Sequence, residues 1–206
     1  ARCILPPLAF EQASSEAVAA EKRYGGALCI DLTCGLGVDS AHFSKSFDRV
    51  IAVERDPVTA RVAAVNFSLL GISNIEVVND SAEHFIESFP GTADLVYADP
   101  ARRGEGNRKV FRFEECSPDI VSLLPAIREK TRRVVVKASP LFDIDEAFRL
   151  FGDRITVDIV SRQGECKEVL IDVPSAPDAP AGSVRAVAAG CGSLIFGRGD
   201  GEPAQA

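Results

Sequence analysis

The sequence predicts an α/β fold: one open, mostly parallel sheet of seven strands, the last of them antiparallel, with helices on both faces. Three observations predict it. Short apolar runs alternate with helical stretches five times, and each run has the continuous hydrophobicity of a strand buried on both faces of a parallel sheet. A glycine turn, Gly35 and Gly37, follows the first run and leads into a helix. The last two runs are joined by only a few residues around Gln163 and Gly164, too short for a crossover helix, so they must pair antiparallel.

An N-terminal helical segment, 1–24, is expected, with residues 11–23 rich in helix formers. The main domain, 25–173, opens with a strand at 28–30 closed by Asp31, then a helix at 38–46. A second strand, 49–54, precedes Pro57, which suits the first turn of a helix running to Leu70. Val58, Val62, Val65 and Leu69 keep helical spacing along it, and Gly71 ends it. A strand at 75–78 ends at Asn79 and Asp80, and a short helix at 82–89 is closed by Pro90 and Gly91. The fourth strand, 95–98, opens onto Asp99 and Pro100. Ser117 and Pro118 read as the cap and first residue of a helix reaching 130. A strand at 133–136, a helix at 145–151 and strands at 155–160 and 169–173 complete the domain. Residues 174–206 read as a proline-rich linker, an extra hairpin within 184–196 around Gly190 and Gly192, and a disordered tail.

A chain of 206 residues with 46% hydrophobic and 26% charged residues can bury one α/β core and a short appendage. It begins at Ala1 and contains no methionine, so it is expected to start inside a longer gene product. No run of about 18 apolar residues is present, so no membrane partner is expected. Six cysteines without a C-x-x-C pair, and only His42 and His84, encode neither a recognisable zinc site nor a disulfide framework. Free thiols in a cytoplasmic protein without a metal are the expectation. A net charge of -7 argues against nonspecific nucleic-acid binding by the chain as a whole. The basic stretch 102–112 is the exception, with Arg102, Arg103, Arg108, Lys109 and Arg112 against Glu105 alone.

Ligands of open α/β sheets bind beyond the carboxyl ends of the strands. Asp31, Glu54, Asp80, Asp99 and Lys137 each close a predicted strand there. A dinucleotide site wants a third glycine where Ser40 stands, and Asp31 would repel a pyrophosphate. An acid in that place suits a cationic ligand such as S-adenosylmethionine, with Glu54 on its ribose. The plain alternative is an ordinary strand-to-helix turn with Asp31 as a cap.

Three chemistries compete at YADPARRG. Aminomethylating enzymes hold an exocyclic amine between an acid, two prolines and an aromatic ring, but here Ala101 and Arg102 replace the second proline and the ring. Uridine C5 methylation needs a cysteine after the fifth strand, where VVVKASPLF offers Ser139. Ribose 2′-O-methylation uses a Lys-Asp-Lys-Glu set, which Lys22, Asp99, Lys137 and Glu168 could fill, unless Lys137 is a purely structural partner of Asp99 or Glu168.

Taken in order, EQASSEAVAAEKR, DLTCGLGVDS, VIAVERD, ADPARRG, VVVKASP and ECKEVL resemble the bacterial class I methyltransferases that carry a C-terminal THUMP-like domain. The resemblance implies a Rossmann-like methyltransferase sheet, S-adenosylmethionine as cofactor and RNA as partner through the 102–112 loop and the further domain. It implies donor contacts at Asp31, Thr33, Gly35, Gly37 and Asp39, and at Glu54, Arg55, Asp80, Ser81 and Asp99. Asp99, Pro100 and Lys137 would be catalytic, with Arg102, Arg103 and Glu168 on the substrate. The expected activity is methyl transfer to a base nitrogen or ribose hydroxyl of RNA. A noncatalytic donor-binding module, or a protein or small-molecule methyltransferase, is the alternative, and Ser40 with Asp31 disfavours a nucleotide-dependent oxidoreductase.

Overall fold

The most continuously apolar runs take the middle of the sheet. In the computed structural model, which describes residues 3, 16–102, 113, 116–175 and 181–197, β1 (Gly26–Asp31) runs parallel to β2 (Phe47–Val53) on one side and β4 (Leu95–Ala98) on the other. Outward from these, β3 (Ile75–Val78) pairs with β2 and β7 (Arg133–Ala138) with β4, both parallel. β9 (Glu165–Pro174) enters antiparallel between β7 and β8 (Thr156–Arg162). The order of these seven strands is β3-β2-β1-β4-β7-β9-β8.

Alternate residues of each central strand face opposite helical layers, which is why both faces are apolar. Ile30, Val96, Val134 and Val136 pack with α4 (Ala82–Ser88), α5 (Ile120–Lys130) and α6 (Ile144–Phe151) through Ile86, Ile127 and Phe148. Cys29, Leu95, Tyr97 and Val135 face the other way, towards Val18 of α1 (Glu16–Ala19) and Phe43 of α2 (Val38–Phe43). Phe67 of α3 (Pro57–Leu70) closes a smaller cluster with Cys34 and Ala52.

Local chemistry explains the element ends. Asp56 accepts from the Thr59 amide as the cap of α3, Pro57 takes its first position, and Gly71 closes it with a left-handed backbone. Gln163 and Gly164 both have positive φ, as a two-residue hairpin turn between right-twisted strands requires.

Three sequence expectations are corrected. The helix expected from Pro118 to 130 begins at Ile120, because the Asp119 carboxylate accepts from the Ser122 amide as the cap. Ser117 instead pairs with Ala101, joining β5 (Ala101–Arg102) to β6 (Cys116–Ser117) in a separate two-stranded ribbon. The helix expected at 11–23 ends at Ala19, since the chain must turn to bury Lys22 before entering β1; residues 11–15 lie outside the described residues. The extra hairpin, β10 (Ser183–Ala188) and β11 (Gly192–Gly197), does not stand apart. β10 pairs parallel with β8 and extends the sheet to nine strands.

Gly37 shows how tightly the turn after β1 is packed. Its φ is 84°, and a Cβ there would overlap the Phe67 ring. Gly71 has a similar φ of 71° with open space around it. Alanine at either position meets the left-handed penalty of about 1–2 kcal/mol, and only at Gly37 is about 1–3 kcal/mol of overpacking added. Gly37→Ala is therefore expected to lower the melting temperature clearly more than Gly71→Ala in parallel circular-dichroism melts.

Candidate active site

Loops at the carboxyl ends of β1 to β4 enclose a cavity of about 290 Å³, at the point where the strand order reverses. Backbone bonds set its frame: Leu32 N–H donates to the Tyr97 carbonyl and Cys34 N–H to the Val53 carbonyl, tying the glycine turn to both neighbours of β1. The Asp99 amide donates to Thr33 Oγ1 at 2.6 Å. Asn79 donates from its side chain to the carbonyls of Glu54 and Arg55, locking the ends of β2 and β3 together.

Glu54 lines the cavity with both carboxylate oxygens oriented by backbone amides, Oε2 by Gly35 and Oε1 by Asp56, each at 2.9 Å. Asp80, also in the lining, accepts from the Ser81 amide and lies 2.6 Å from Nδ1 of exposed His84. That hydrogen bond is the main cause of the lowered Asp80 pKa and the raised His84 pKa. Arg55 reaches from the end of β2 to Ser117 Oγ, 2.8 Å away, along the ribbon side of the cavity.

On the opposite side, charged groups form a ladder. Lys22, 1% exposed, contacts Asp39 Oδ1 at 2.9 Å and Glu168 Oε1 at 2.8 Å. Tyr97 donates its hydroxyl to Asp39 Oδ2 at 2.8 Å. Lys137 lies 3.9 Å from Glu168 and 2.7 Å from Asp99. Burial alone would discharge Lys137, but Asp99, Asp39 and Glu168 outweigh it and push the ammonium pKa above its ordinary value. Burial likewise raises the Asp39 pKa, and Lys22 and Lys137 reverse that, so Asp39 stays ionised. Burial is also the largest influence on Glu168, whose pKa is raised despite both lysines.

Of the residues expected from sequence, Thr33, Gly35, Asp39, Glu54, Arg55, Asp80, Asp99 and Lys137 line the cavity. Asp31 does not line it: it is 1% exposed, accepts from Ser40 Oγ at 2.5 Å and takes the Thr33 amide at 3.0 Å. Ser40 thus replaces the third glycine because its hydroxyl anchors Asp31. Gly37 is likewise absent from the lining and faces Phe67, while Ser81 is spent as the cap of α4, accepting from the His84 amide. Pro100 is buried outside the lining, and Glu168 stands behind the two lysines. The Arg102 side chain, Arg103 and the rest of the 102–112 loop lie outside the described residues.

Lys22, suggested by position alone, joins the ladder through Asp39 and Glu168. Tyr97 was missed; its signal was the alternation that points it opposite to Val96. Ser117 and Pro118, read as a helix start, line the cavity instead. Among the described residues no group of three or more His, Cys, Asp or Glu is arranged to hold a metal ion, and no helix is long and apolar enough to cross a membrane.

A crystal structure of a candidate methyltransferase from Porphyromonas gingivalis W83 superposes with a TM-score of 0.78 over 94% of this chain and 50% of that one, at 24% identity. The fold is that of the Rossmann-like class I methyltransferases. In sequence, an uncharacterized S-adenosylmethionine-dependent methyltransferase of Mycobacterium tuberculosis is 31% identical over 166 residues, 79% of this chain and 44% of the relative. An uncharacterized RNA methyltransferase of Thermotoga maritima is 28% identical over 144 residues, 65% of this chain and 33% of the relative. A tRNA/tmRNA (uracil-C(5))-methyltransferase of Aliivibrio salmonicida is 30% identical over 139 residues, 55% of this chain and 37% of the relative. The chain therefore spans less than half the length of these curated relatives. No family model matches it.

Asp31 supplies a pH test of the site's foundation. Burial raises its pKa to about 7, against the lowering influence of Ser40 and Thr33. Its folded pKa lies above the unfolded value, so the folded state binds the extra proton, and stability falls as pH rises from about 4 through about 7. Asparagine can keep the bonds to Thr33 and Ser40 without titrating. In Asp31→Asn the loss of melting temperature between pH 5 and pH 8 is expected to be roughly 5 °C smaller than in the wild type. An unchanged loss would mean that Asp31 stays ionised in the fold.

Proposed function

We propose that the chain is an S-adenosylmethionine-dependent methyltransferase domain acting on RNA. The observation that carries this reading is the carboxylate lining of the cavity, Asp39, Glu54, Asp80 and Asp99 around the glycine turn. Such a lining repels the pyrophosphate of a dinucleotide and suits a ligand that bears an ammonium and a sulfonium. Glu54, fixed by two amides, would accept from the ribose hydroxyls. Asp80 would meet the adenine end. The turn at Gly35, whose φ of 54° leaves its α-carbon open to the cavity, would take the amino-acid end beside Asp39.

When bound, the donor supplies an electrophilic methyl group. The chain's own part is to align the acceptor and to exclude water. The relatives named as RNA methyltransferases support an RNA acceptor, as does the basic 102–112 stretch that follows Asp99 in sequence. The order of the sequence motifs supports kinship with the THUMP-like group, in which a further domain would capture RNA and the enzyme would work in the cytoplasm.

Calorimetric titration of S-adenosylmethionine and of S-adenosylhomocysteine into the full-length protein tests the reading. Both are expected to bind, and Glu54→Ala is expected to weaken binding by about 10–100-fold, the worth of a charge-assisted hydrogen bond of about 1.5–3 kcal/mol. Absence of heat with both ligands would overturn the proposal.

A further inference from the structure

We infer that the methylated atom is a ribose 2′-hydroxyl oxygen of RNA, held at the Lys137–Asp99 pair, with Lys137 as the cation that stabilises the oxygen and Asp99 as the group that takes its proton. The inference rests on the RNA methyltransferase reading above and deepens it. Its basis is that the pair at the mouth of the cavity is a lysine and a carboxylate 2.7 Å apart, 12% and 39% exposed at their side chains, backed by a second lysine that is wholly buried.

The three acceptor classes make opposite demands. A ring carbon needs a thiolate to form a covalent adduct, but Cys34, the cysteine in the lining, is a buried thiol. Burial and Asp31 push its pKa upward, leaving it protonated. A base nitrogen gains positive charge as it is methylated, and it needs hydrogen-bond acceptors and a ring to stack on. Here it would meet the Lys137 ammonium, 2.7 Å from Asp99, and among the described residues of the lining none carries an aromatic ring.

A hydroxyl oxygen gains negative charge as its proton leaves, so a nearby cation lowers the barrier. With Asp99 at 2.7 Å and Glu168 at 3.9 Å, Lys137 keeps its proton, which suits it to a stabilising charge and leaves the base to Asp99. Within an RNA chain the 3′ oxygen is esterified, which leaves the 2′-hydroxyl.

The atoms balance. The hydroxyl proton passes to the Asp99 carboxylate and from there to water at the mouth. The oxygen bonds to the methyl carbon as the carbon–sulfur bond breaks, and that bond's electron pair stays on sulfur as a neutral thioether. One positive charge is lost from sulfur and one proton is released. Lys22, Glu168 and Asp39 position Lys137 from behind; they act through it and do not meet the acceptor.

The test incubates the full-length protein with methyl-labelled donor and total RNA from cells lacking the enzyme, followed by alkaline hydrolysis. A 2′-O-methyl group blocks cleavage of the next phosphodiester, so the label is expected in alkali-stable dinucleotides. Label in mononucleotides would overturn this inference and leave RNA methyltransferase activity standing. Unlabelled RNA, with donor product still bound in calorimetry, would remove the RNA reading and this inference together.

Lys137→Met is expected to lower kcat by about 100-fold or more while donor-product affinity changes less than threefold. Lys137→Arg, which keeps the charge in the same pocket, is expected to recover part of the rate and the wild-type pH profile. Wild-type rates in folded Lys137→Met would overturn the role given to Lys137.

Discussion

The burial of Lys22 is the constraint on which the rest of the site depends. An ammonium 1% exposed is tolerable only where carboxylates and hydrogen bonds replace water around it. Asp39 comes from the helix after the glycine turn, Glu168 from the antiparallel strand β9, and Tyr97, which fixes Asp39, from β4. One buried cation therefore ties the N-terminal segment to one helix and two strands. Removing one partner of such a pair typically costs about 3–5 kcal/mol, because the other is left charged and alone.

That ladder also decides which charge reaches the cavity. Glu168 is shared between the two lysines, and Lys137 is thereby turned towards Asp99 at the mouth. Three carboxylates to two lysines leave the cluster one negative charge in excess, which suits a cationic ligand and keeps Lys137 protonated. On the other side of the cavity Glu54 is oriented by two backbone amides, and Asp80 by the Ser81 amide and by exposed His84. In the proposed reading the same residue type serves two ends: carboxylates held by lysines at the acceptor edge, and carboxylates held chiefly by backbone amides at the donor edge.

Asp31 and Gly37 show how the glycine turn is supported from beneath. Both belong to the stretch that most strongly suggests a ligand, and both are used for support beneath it. Asp31 binds Ser40 and Thr33, and Gly37 makes room for Phe67. A loop that presents backbone to a ligand needs its own underside filled and satisfied, and here Asp31, Gly37 and Ser40 meet that need while Leu32 to Leu36, Val38 and Asp39 line the cavity. Spacing identifies such a stretch without saying which of its members face the ligand.

By itself the sequence determined the sheet, its seven principal strands, the reversed last strand and the polar residues at successive strand ends. Continuous apolar runs, short connections and terminal glycines are local signals written in contiguous residues. Only the tertiary structure decided that Lys22 and Glu168, 146 positions apart, meet in one ion pair, that Ser117 belongs to the cavity and that the late hairpin joins the sheet. Those outcomes depend on which surfaces exclude water together, and an ion's preference for a buried partner leaves no trace in the residues next to it.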